Sequence, residues 1–94
     1  MVTFSPMHFK VTIKKRVEKG LGDLPENVQA KFWVLVQAMQ RLGPVRGDWP
    51  NYSKLGRDRH HCHLKPTWVA CWCSEEGTMK IEVDYVGSRE KAPY

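Results

Sequence analysis

The most regular pattern of hydrophobic positions lies in the first half of the chain. Apolar side chains recur there at spacings of four and three residues, at Val28, Phe32, Leu35, Met39 and Leu42. This period places them on one face of an α-helix of about five turns. We expect this helix to cover one face of a sheet.

Residues at both ends of this segment define the limits of the helix. Asp23 is suited to the N-cap, because Glu26 three positions later completes a capping box and Pro25 fits the first turn. Gly43 is expected to end the helix, and Pro44 prevents it from resuming.

Alternating apolar and polar positions predict four strands. One is His8–Ile13, and three follow one another in the last third of the chain, at His60–Lys65, Trp68–Cys73 and Met79–Val86. In the last of these, every second residue from Met79 to Tyr85 is apolar and the others are charged, as in an antiparallel strand with one buried face. Lys14–Gly20 fits either a short helix or a bend.

Together these elements predict an α+β fold, a small antiparallel sheet with helices packed on one face. The chain has 94 residues and is expected to form one domain, with residues 1–6 as a frayed N-terminal tail. The segment from Gly43 to Arg59 is rich in glycine and proline and predicts a loop. Loops of this length without structure of their own are more often functional than not.

A two-residue turn at Pro66-Thr67 would fix the register of the hairpin. It predicts three cross-strand pairs, which are Lys65 with Trp68, His63 with Ala70, and His61 with Trp72. One face, expected under the helix, then carries Cys62, Leu64, Val69, Cys71 and Cys73. The other carries His61, His63, Lys65, Trp68 and Trp72, a set unsuited to a core and therefore interpreted as a working surface.

Composition narrows the class of protein. The formal net charge is +5, from 15 basic and 10 acidic residues, which favours a polyanionic partner, nucleic acid first. The longest uncharged apolar run, Phe32–Met39, is far shorter than the roughly 20 residues of a membrane span, and no signal peptide is evident. Three cysteines, two of them one residue apart, make a poor disulfide framework and favour a reducing compartment.

A zinc site is one interpretation of His60, His61 and His63 together with Cys71 and Cys73. Zinc requires four converging ligands, usually from paired motifs. The predicted register puts His61 and His63 opposite the cysteines, so small core residues on a strand are the better interpretation of the cysteines.

The working surface has a second interpretation. Imidazole exchanges protons near neutral pH, and a neighbouring cation lowers its pKa, so that His61 or His63 remains available as a base. Lysine stabilises phosphate, and the Trp68 ring offers a base a surface to stack on. These residues suit nucleic-acid binding or RNA cleavage by a ribose 2′-hydroxyl. The alternative is that strand histidines simply face the solvent.

Three motifs stand in order on this pattern of elements. A step at Ser53–Gly56 is followed by the hairpin Cys62–Trp68 and by the ending Val86–Lys91 with a final Tyr94. With the basic N-terminal strand and the long helix, they resemble the RelE/ParE superfamily of bacterial toxins. The hairpin is similar to that of YafQ-type toxins, although Thr67 replaces their aspartate, and the ending resembles that of RelE-type toxins.

The resemblance implies a toxin of a toxin–antitoxin system, of the RelE/YafQ-like mRNA interferase branch. Such a protein is a cytoplasmic, RNA-binding, ribosome-dependent endoribonuclease that inhibits translation. Its implied partners are a cognate antitoxin protein and the ribosome with its mRNA. No membrane, no metal and no small-molecule cofactor are implied.

The resemblance, together with the basic residues of the hairpin, the loop and the tail, gives candidate residue roles. The catalytic group would be His61, His63, Lys65, Arg89 and Tyr94. Nucleic-acid binding would fall to Lys54, Arg57, Arg59, Trp68 and Lys91. In the implied reaction the 2′-hydroxyl attacks its adjacent phosphate, with His63 as the base assisted by His61.

Other functions remain open on the same residues. ParE-type relatives share this scaffold and inhibit DNA gyrase, which would leave mRNA intact. A non-catalytic nucleic-acid-binding module would show steeply salt-dependent binding in which His63 has no part. A zinc-binding domain would retain about one equivalent of metal through dialysis.

Overall fold

A computed structural model describes residues 9–94. Five strands and two helices follow one another as β1 (Lys10–Ile13), α1 (Lys15–Gly20), α2 (Glu26–Leu42), β2 (Ser53–Lys54), β3 (Arg59–Lys65), β4 (Trp68–Cys73) and β5 (Lys80–Ser88). Short 3-10 turns lie at Leu21–Asp23 and Arg89–Lys91. The predicted tail at residues 1–6, and His8 of the first predicted strand, lie outside the described residues.

The strands form one sheet in the order β1-β5-β4-β3-β2. The predicted α+β class is confirmed, but the sheet is mixed rather than wholly antiparallel, because β1 runs parallel to β5. These two strands lie far apart in the sequence, so no hairpin forces them into an antiparallel pair. Within residues 9–94 no helix is long and apolar enough to cross a bilayer.

Both helices pack on the same face of the sheet. The α2 residues of this core are Val28, Phe32, Leu35, Val36 and Met39. They pack with Cys62 and Leu64 of β3, Ala70 and Trp72 of β4, and Ile81 and Val83 of β5. Leu42, predicted on the buried stripe, is 60% exposed in the last turn of α2, and Val36 takes its place in the core.

The C-terminal end of α2 agrees with the prediction, and its N-terminal cap does not. Pro25 occupies the N-cap and Asp23 ends the preceding 3-10 turn, so the predicted capping box does not form. At the other end Gly43 stops the helix with φ 94°, a conformation that glycine adopts without strain. A Cβ at Gly43 would lie 2.9 Å from the ring of Phe9, so close packing also requires glycine there.

The hairpin register differs from the predicted one beyond its first pair. Lys65 pairs with Trp68 as expected, but a bulge between His63 and Lys65 shifts the rest by one residue. His63 therefore pairs with Val69 and His61 with Cys71. Trp72 consequently lies in the core and not on the working surface.

We call the side of the sheet opposite the helices the helix-free face. It carries His61, His63, Val69, Cys71 and Cys73, so two of the cysteines share a face with the histidines, contrary to the prediction. A second bulge, in β5, adds Asp84 between the pairs that Val83 and Tyr85 make with β4. As a result Tyr85, predicted on the buried side, lies on the helix-free face.

Candidate active site

Two histidines of β3 lie side by side on the helix-free face. His61 and His63 are two residues apart, and alternation along the strand directs both to this side. Their ring centroids are 6.0 Å apart with the planes at 60°. Only 8% of His61 and 9% of His63 is exposed, so both rings are held within the structure and do not extend freely into solvent.

A segment of the long loop supports these two rings. The Asn51 Nδ2 lies 3.4 Å from the Nδ1 of His63, and the Ser53 Oγ lies 3.1 Å from the Nδ1 of His61. Ser53 belongs to β2 and pairs directly with His61 in the sheet. The backbone N–H of His63 donates to the carbonyl of Pro50 at 2.8 Å. Each ring thus has its Nδ1 engaged on the loop side.

Tyr94 lies against His61, with 4.5 Å between the ring centroids. Partial burial raises the pKa of Tyr94 above its usual value of 10.0, and the nearby Cys71 acts in the same direction. The phenol therefore keeps its proton at neutral pH. The structure brings together Tyr94 and His61, two residues that are 33 positions apart in the sequence.

A cavity of about 500 Å³ adjoins His63. Its lining includes three cations, Lys31, Lys65 and Arg89, together with Asn51, and includes no carboxylate. Such a cavity attracts an anionic group, because no negative side chain in its wall competes for the cations. Lys65 and Arg89, two of the predicted catalytic residues, thus lie beside the predicted catalytic His63.

The environment of His61 determines its protonation state. Burial lowers the pKa of His61 below 6.5, the neighbouring His63 lowers it further, and a hydrogen bond with the backbone of Ser53 opposes them. The net direction is downward, so the ring is neutral at neutral pH. A neutral imidazole is the form that accepts a proton, as a general base must.

The cysteines of the helix-free face are not arranged as reactive groups. Burial raises the pKa of Cys71 to about 12 and that of Cys73 to about 11, so both thiols stay protonated at neutral pH. Cys73 donates to the Oδ2 of Asp84 at 3.1 Å. Among residues 9–94, no three His, Cys, Asp or Glu side chains are placed to hold one metal ion.

Arg59, predicted to bind nucleic acid, has a structural partner. One of its guanidinium nitrogens lies 3.4 Å from the Oδ2 of Asp84, whose other carboxylate oxygen is buried without a hydrogen-bond partner. Arg59 precedes His61 by two positions on β3, so it lies on the same face. It extends the row of basic side chains away from the cavity.

The remaining predicted nucleic-acid contacts divide between the two ends of the sheet. Trp68 is half-buried against the core near Arg89, and Lys91 is exposed in the turn after β5. Lys54 pairs with His60 near the start of β3, and Arg57 precedes that strand, so both lie toward the end of β3 opposite Lys65.

The distant pair also has a different charge environment. Arg57 borders depressions that also include Asp58, Glu75 and Glu76, and Lys54 lines one of them. These carboxylates offset the positive charge, so this end of the sheet is less suited to bind phosphate. The structure places Lys54 opposite His60 in the sheet, and it brings neither Lys54 nor Arg57 into the cavity beside His63.

The third histidine of β3 faces the core. His60 is 3% exposed, and its ring stacks on Trp72 with the planes 4° apart and the centroids 5.8 Å apart. Its Nδ1 is 2.7 Å from the hydroxyl of Tyr52. Burial, and then the charge of Lys54, lowers the pKa of His60 below 6.5. His60 is therefore a neutral packing residue.

Three residues of the candidate site are absent from the sequence-based set: Lys31, Asn51 and Ser53. Lys31 lies on α2, where a lone exposed cation carries no signal of function. An asparagine directly after Pro50 is typical of a turn, and Asn51 does adopt φ 53°, yet this signal concerns the backbone alone. The contacts of Asn51 and Ser53 with histidines have no signature in the sequence.

Comparisons with known proteins give a fold and no close relative. No family model and no curated protein matches the chain. Among solved structures, the RelE–RelB complex of Pyrococcus horikoshii matches with a TM-score of 0.72 and 18% identity, over 92% of this chain and 100% of that chain. The DinJ–YafQ complex of E. coli matches with a TM-score of 0.73 and 9% identity, over 93% and 99%.

A third match supports the same assignment. A mutant of the E. coli toxin RelE in the free state has a TM-score of 0.70 and 13% identity, over 92% of this chain and 88% of that one. The similarity covers nearly all of each chain, while sequence identity is too low to compare individual residues. This chain therefore has the fold of the RelE-like toxins of toxin–antitoxin systems.

Proposed function

We propose that this protein is the toxin of a toxin–antitoxin system and cleaves mRNA on the ribosome. One observation carries the proposal. His61, His63 and Tyr94 lie together on the helix-free face, beside a cavity whose charged lining residues are all cationic. The fold shared with RelE-like toxins supports the same function.

These residues suit cleavage by the ribose 2′-hydroxyl. A neutral imidazole of the histidine pair takes the proton of the 2′-hydroxyl as the bond between O2′ and phosphorus forms. The bond from phosphorus to the 5′ oxygen breaks, and Tyr94 donates its proton to that leaving oxygen. The products are a 2′,3′-cyclic phosphate and a 5′-hydroxyl. A general base of this kind contributes roughly 10²–10⁴-fold to the rate.

The cationic cavity supplies the electrostatic part of the catalysis. Arg89 and Lys65, with Lys31, would neutralise the negative charge that increases on the phosphate as the bonds exchange. Trp68 borders a depression with Arg89 at the turn end of β4, and a base of the bound strand would stack there.

The proposed partners are an antitoxin and the translating ribosome, both in the cytoplasm. Two of the structurally similar toxins were solved in complexes named for two proteins, RelE with RelB and YafQ with DinJ. By analogy a small protein would bind this chain and block its activity. The ribosome would hold the mRNA in an extended form across the helix-free face.

Primer extension on a defined mRNA, with and without translating ribosomes, tests the function. We expect cuts with ribosomes only, and their loss in His63→Ala and Arg89→Ala. Arg41→Ala is the matched control, because Arg41 is an exposed arginine on α2, at the opposite side of the sheet. Full cleavage by both site variants would refute the site.

Two other results would change the function. Cuts on naked RNA would keep the chemistry and remove the ribosome as a partner. Intact RNA in both conditions would refute the proposed nuclease, and a DNA gyrase supercoiling assay would then test the ParE-type alternative on the same preparation.

A further inference from the structure

Three consecutive residues, at the end of the long loop and the start of β2, engage the three histidines of β3. Each contacts the Nδ1 of one ring, in the pairs Asn51 with His63, Tyr52 with His60, and Ser53 with His61. Since β3 alternates between its faces, the first and third pairs lie on the helix-free face and the second lies in the core. All three rings thus have Nδ1 occupied and Nε2 directed elsewhere.

The two partners on the helix-free face differ in what they offer. The Nδ2 of Asn51 only donates, so the Nδ1 of His63 must accept, and the proton of the neutral ring then resides on Nε2. The hydroxyl of Ser53 can accept as well as donate. When it accepts from the Nδ1 of His61, the Nε2 of that ring has a free lone pair.

We propose that Asn51 and Ser53 are positioning residues that give the two histidines different tasks. Asn51 holds His63 with a proton on Nε2, as a hydrogen-bond donor to the scissile phosphate. Ser53 holds His61 with a lone pair on Nε2, as the base that takes the proton of the 2′-hydroxyl. This assignment rests on the proposed function and reverses the roles that the family resemblance implies for the two rings.

The surroundings of His61 agree with its assigned task. The groups that face it are Ser53 of β2, His63 of β3, Cys71 of β4 and Tyr94, and none of them is a carboxylate. Two carboxylates lie further along this face: Asp84 is engaged by Arg59 and Cys73, and Glu82, opposite Cys73, lies 4.0 Å from the Nζ of Lys14. No negative charge in direct contact therefore stabilises the protonated ring, which favours the neutral base.

The backbone conformation of residue 51 and its contact with His63 together explain why this residue is asparagine. A φ of 53° is a left-handed conformation that costs most residues free energy, and asparagine, aspartate and glycine tolerate it best. Of these, only asparagine brings an amide donor to His63. Asn51→Asp keeps the size and the backbone preference and replaces that donor with an acceptor.

Ring-nitrogen NMR of the purified protein tests the assignment without reference to cleavage. Long-range proton–nitrogen spectra at neutral pH should show His63 protonated on Nε2 and His61 protonated on Nδ1. In Asn51→Asp the His63 proton should move to Nδ1. A His63 that carries its proton on Nδ1 in the wild type, or does not respond to this substitution, would overturn the role of Asn51.

The same variants in the ribosome cleavage assay test whether the contacts that hold the two histidine rings affect the rate of cleavage. At metal sites, removing the hydrogen-bond partner of a ligating histidine typically lowers metal affinity or activity about 10–100-fold. We expect a decrease of that size in kcat for Asn51→Asp and for Ser53→Ala. Ser53→Thr keeps the hydroxyl and should restore cleavage. Tyr52→Phe removes the equivalent contact from His60 and should leave kcat unchanged.

The outcomes separate the two proposals. The expected ring protonation in a protein that never cuts RNA would overturn the proposed nuclease and keep the positioning. Cleavage that survives in Ser53→Ala, or is not restored by Ser53→Thr, would overturn the role of Ser53 while the nuclease stands.

Discussion

His60 and His61 are neighbours in the sequence and have similar local contacts, yet they lie on opposite faces of the sheet. Each ring has its Nδ1 near a side-chain hydroxyl, from Tyr52 and from Ser53, and burial lowers the pKa of both. His60 stacks on Trp72 in the core, whereas His61 lies beneath Tyr94. The pKa shift alone therefore does not identify a functional histidine, and the neighbours on its face do.

The largest expected effect is a contrast between these two residues. Substitution of His61 should mainly reduce cleavage, and substitution of His60 should mainly reduce stability. His61→Ala should lower ribosome-dependent cleavage roughly 10²–10⁴-fold and lower the free energy of unfolding by less than His60→Ala does, because its ring packs against the half-exposed Tyr94 and not in the core. His60→Ala should lower the free energy of unfolding by about 2–5 kcal/mol, because it leaves a cavity beside Trp72 and an unpaired Tyr52 hydroxyl. Urea unfolding and primer extension on both variants measure the two effects.

The contrast between His60 and His61 would be refuted if both substitutions had the same effects on cleavage and on stability. Loss of cleavage per folded molecule in His60→Ala would mean that the core histidine also supports the site. A strongly destabilised His61→Ala would mean that His61 is itself a packing residue.

The next effect concerns the two tryptophans of β4, which occupy the core face to different degrees. Trp72 is fully buried and donates through Nε1 to the carbonyl of Pro44 at 3.0 Å. Trp72→Ala should cost about 3–5 kcal/mol of unfolding free energy. Trp68→Ala, at a half-buried position, should cost less and reduce cleavage instead. A Trp72→Ala protein with wild-type stability would refute the observed hairpin register.

A smaller effect is expected at the far end of the basic row. Arg59→Ala should lower the free energy of unfolding by about 1–3 kcal/mol, because it leaves the buried carboxylate of Asp84 without its cation. Arg57→Ala removes an exposed arginine nearby and should stay within about 0.5 kcal/mol. Denaturant-induced unfolding of the two variants measures both free energies. Equal stability would mean that the ion pair is not structural.

The smallest effect is a pH dependence of stability. The pKa values of His60 and His61 are below 6.5 in the folded protein, so between these values and 6.5 the unfolded chain binds more protons. Their contribution to stability is therefore complete above pH 6.5 and decreases as the pH falls through that range.

Melting temperatures at about pH 7.5 and about pH 5.5 should show this decrease. His60→Gln removes one of the two titrating groups and should reduce it. A protein that becomes more stable on acidification would contradict the direction of both shifts.

The sequence predicted the elements of this fold better than their orientation. The period of α2 and the strand limits at Trp68–Cys73 were recovered because hydrophobic spacing directly reports secondary structure. The bulges near Leu64 and at Asp84 were not, since an extra residue in a strand has no distinctive composition. After each bulge, the side chains lie on the face opposite to the one that strict alternation predicts.

The candidate site was predicted in part for a similar reason. His61 and His63 share a face through simple alternation, so strand geometry alone placed them together. Tyr94 reaches His61 only through the path of the chain after β5, and Asn51 reaches His63 only through the loop. Charge did not locate the site either, because Lys54 and Lys31 look equivalent in the sequence, yet Lys54 lines a depression with three carboxylates and Lys31 lines the cationic cavity.

The bulge at Asp84 has a genetic consequence. In-frame loss of that single codon would remove the extra residue and leave strict alternation, with Val83 still toward the helices and Tyr85 still on the helix-free face. The remaining residues of the strand would keep both their identity and their direction. The deletion would therefore remove the carboxylate that Arg59 and Cys73 contact and leave the register between β4 and β5 intact.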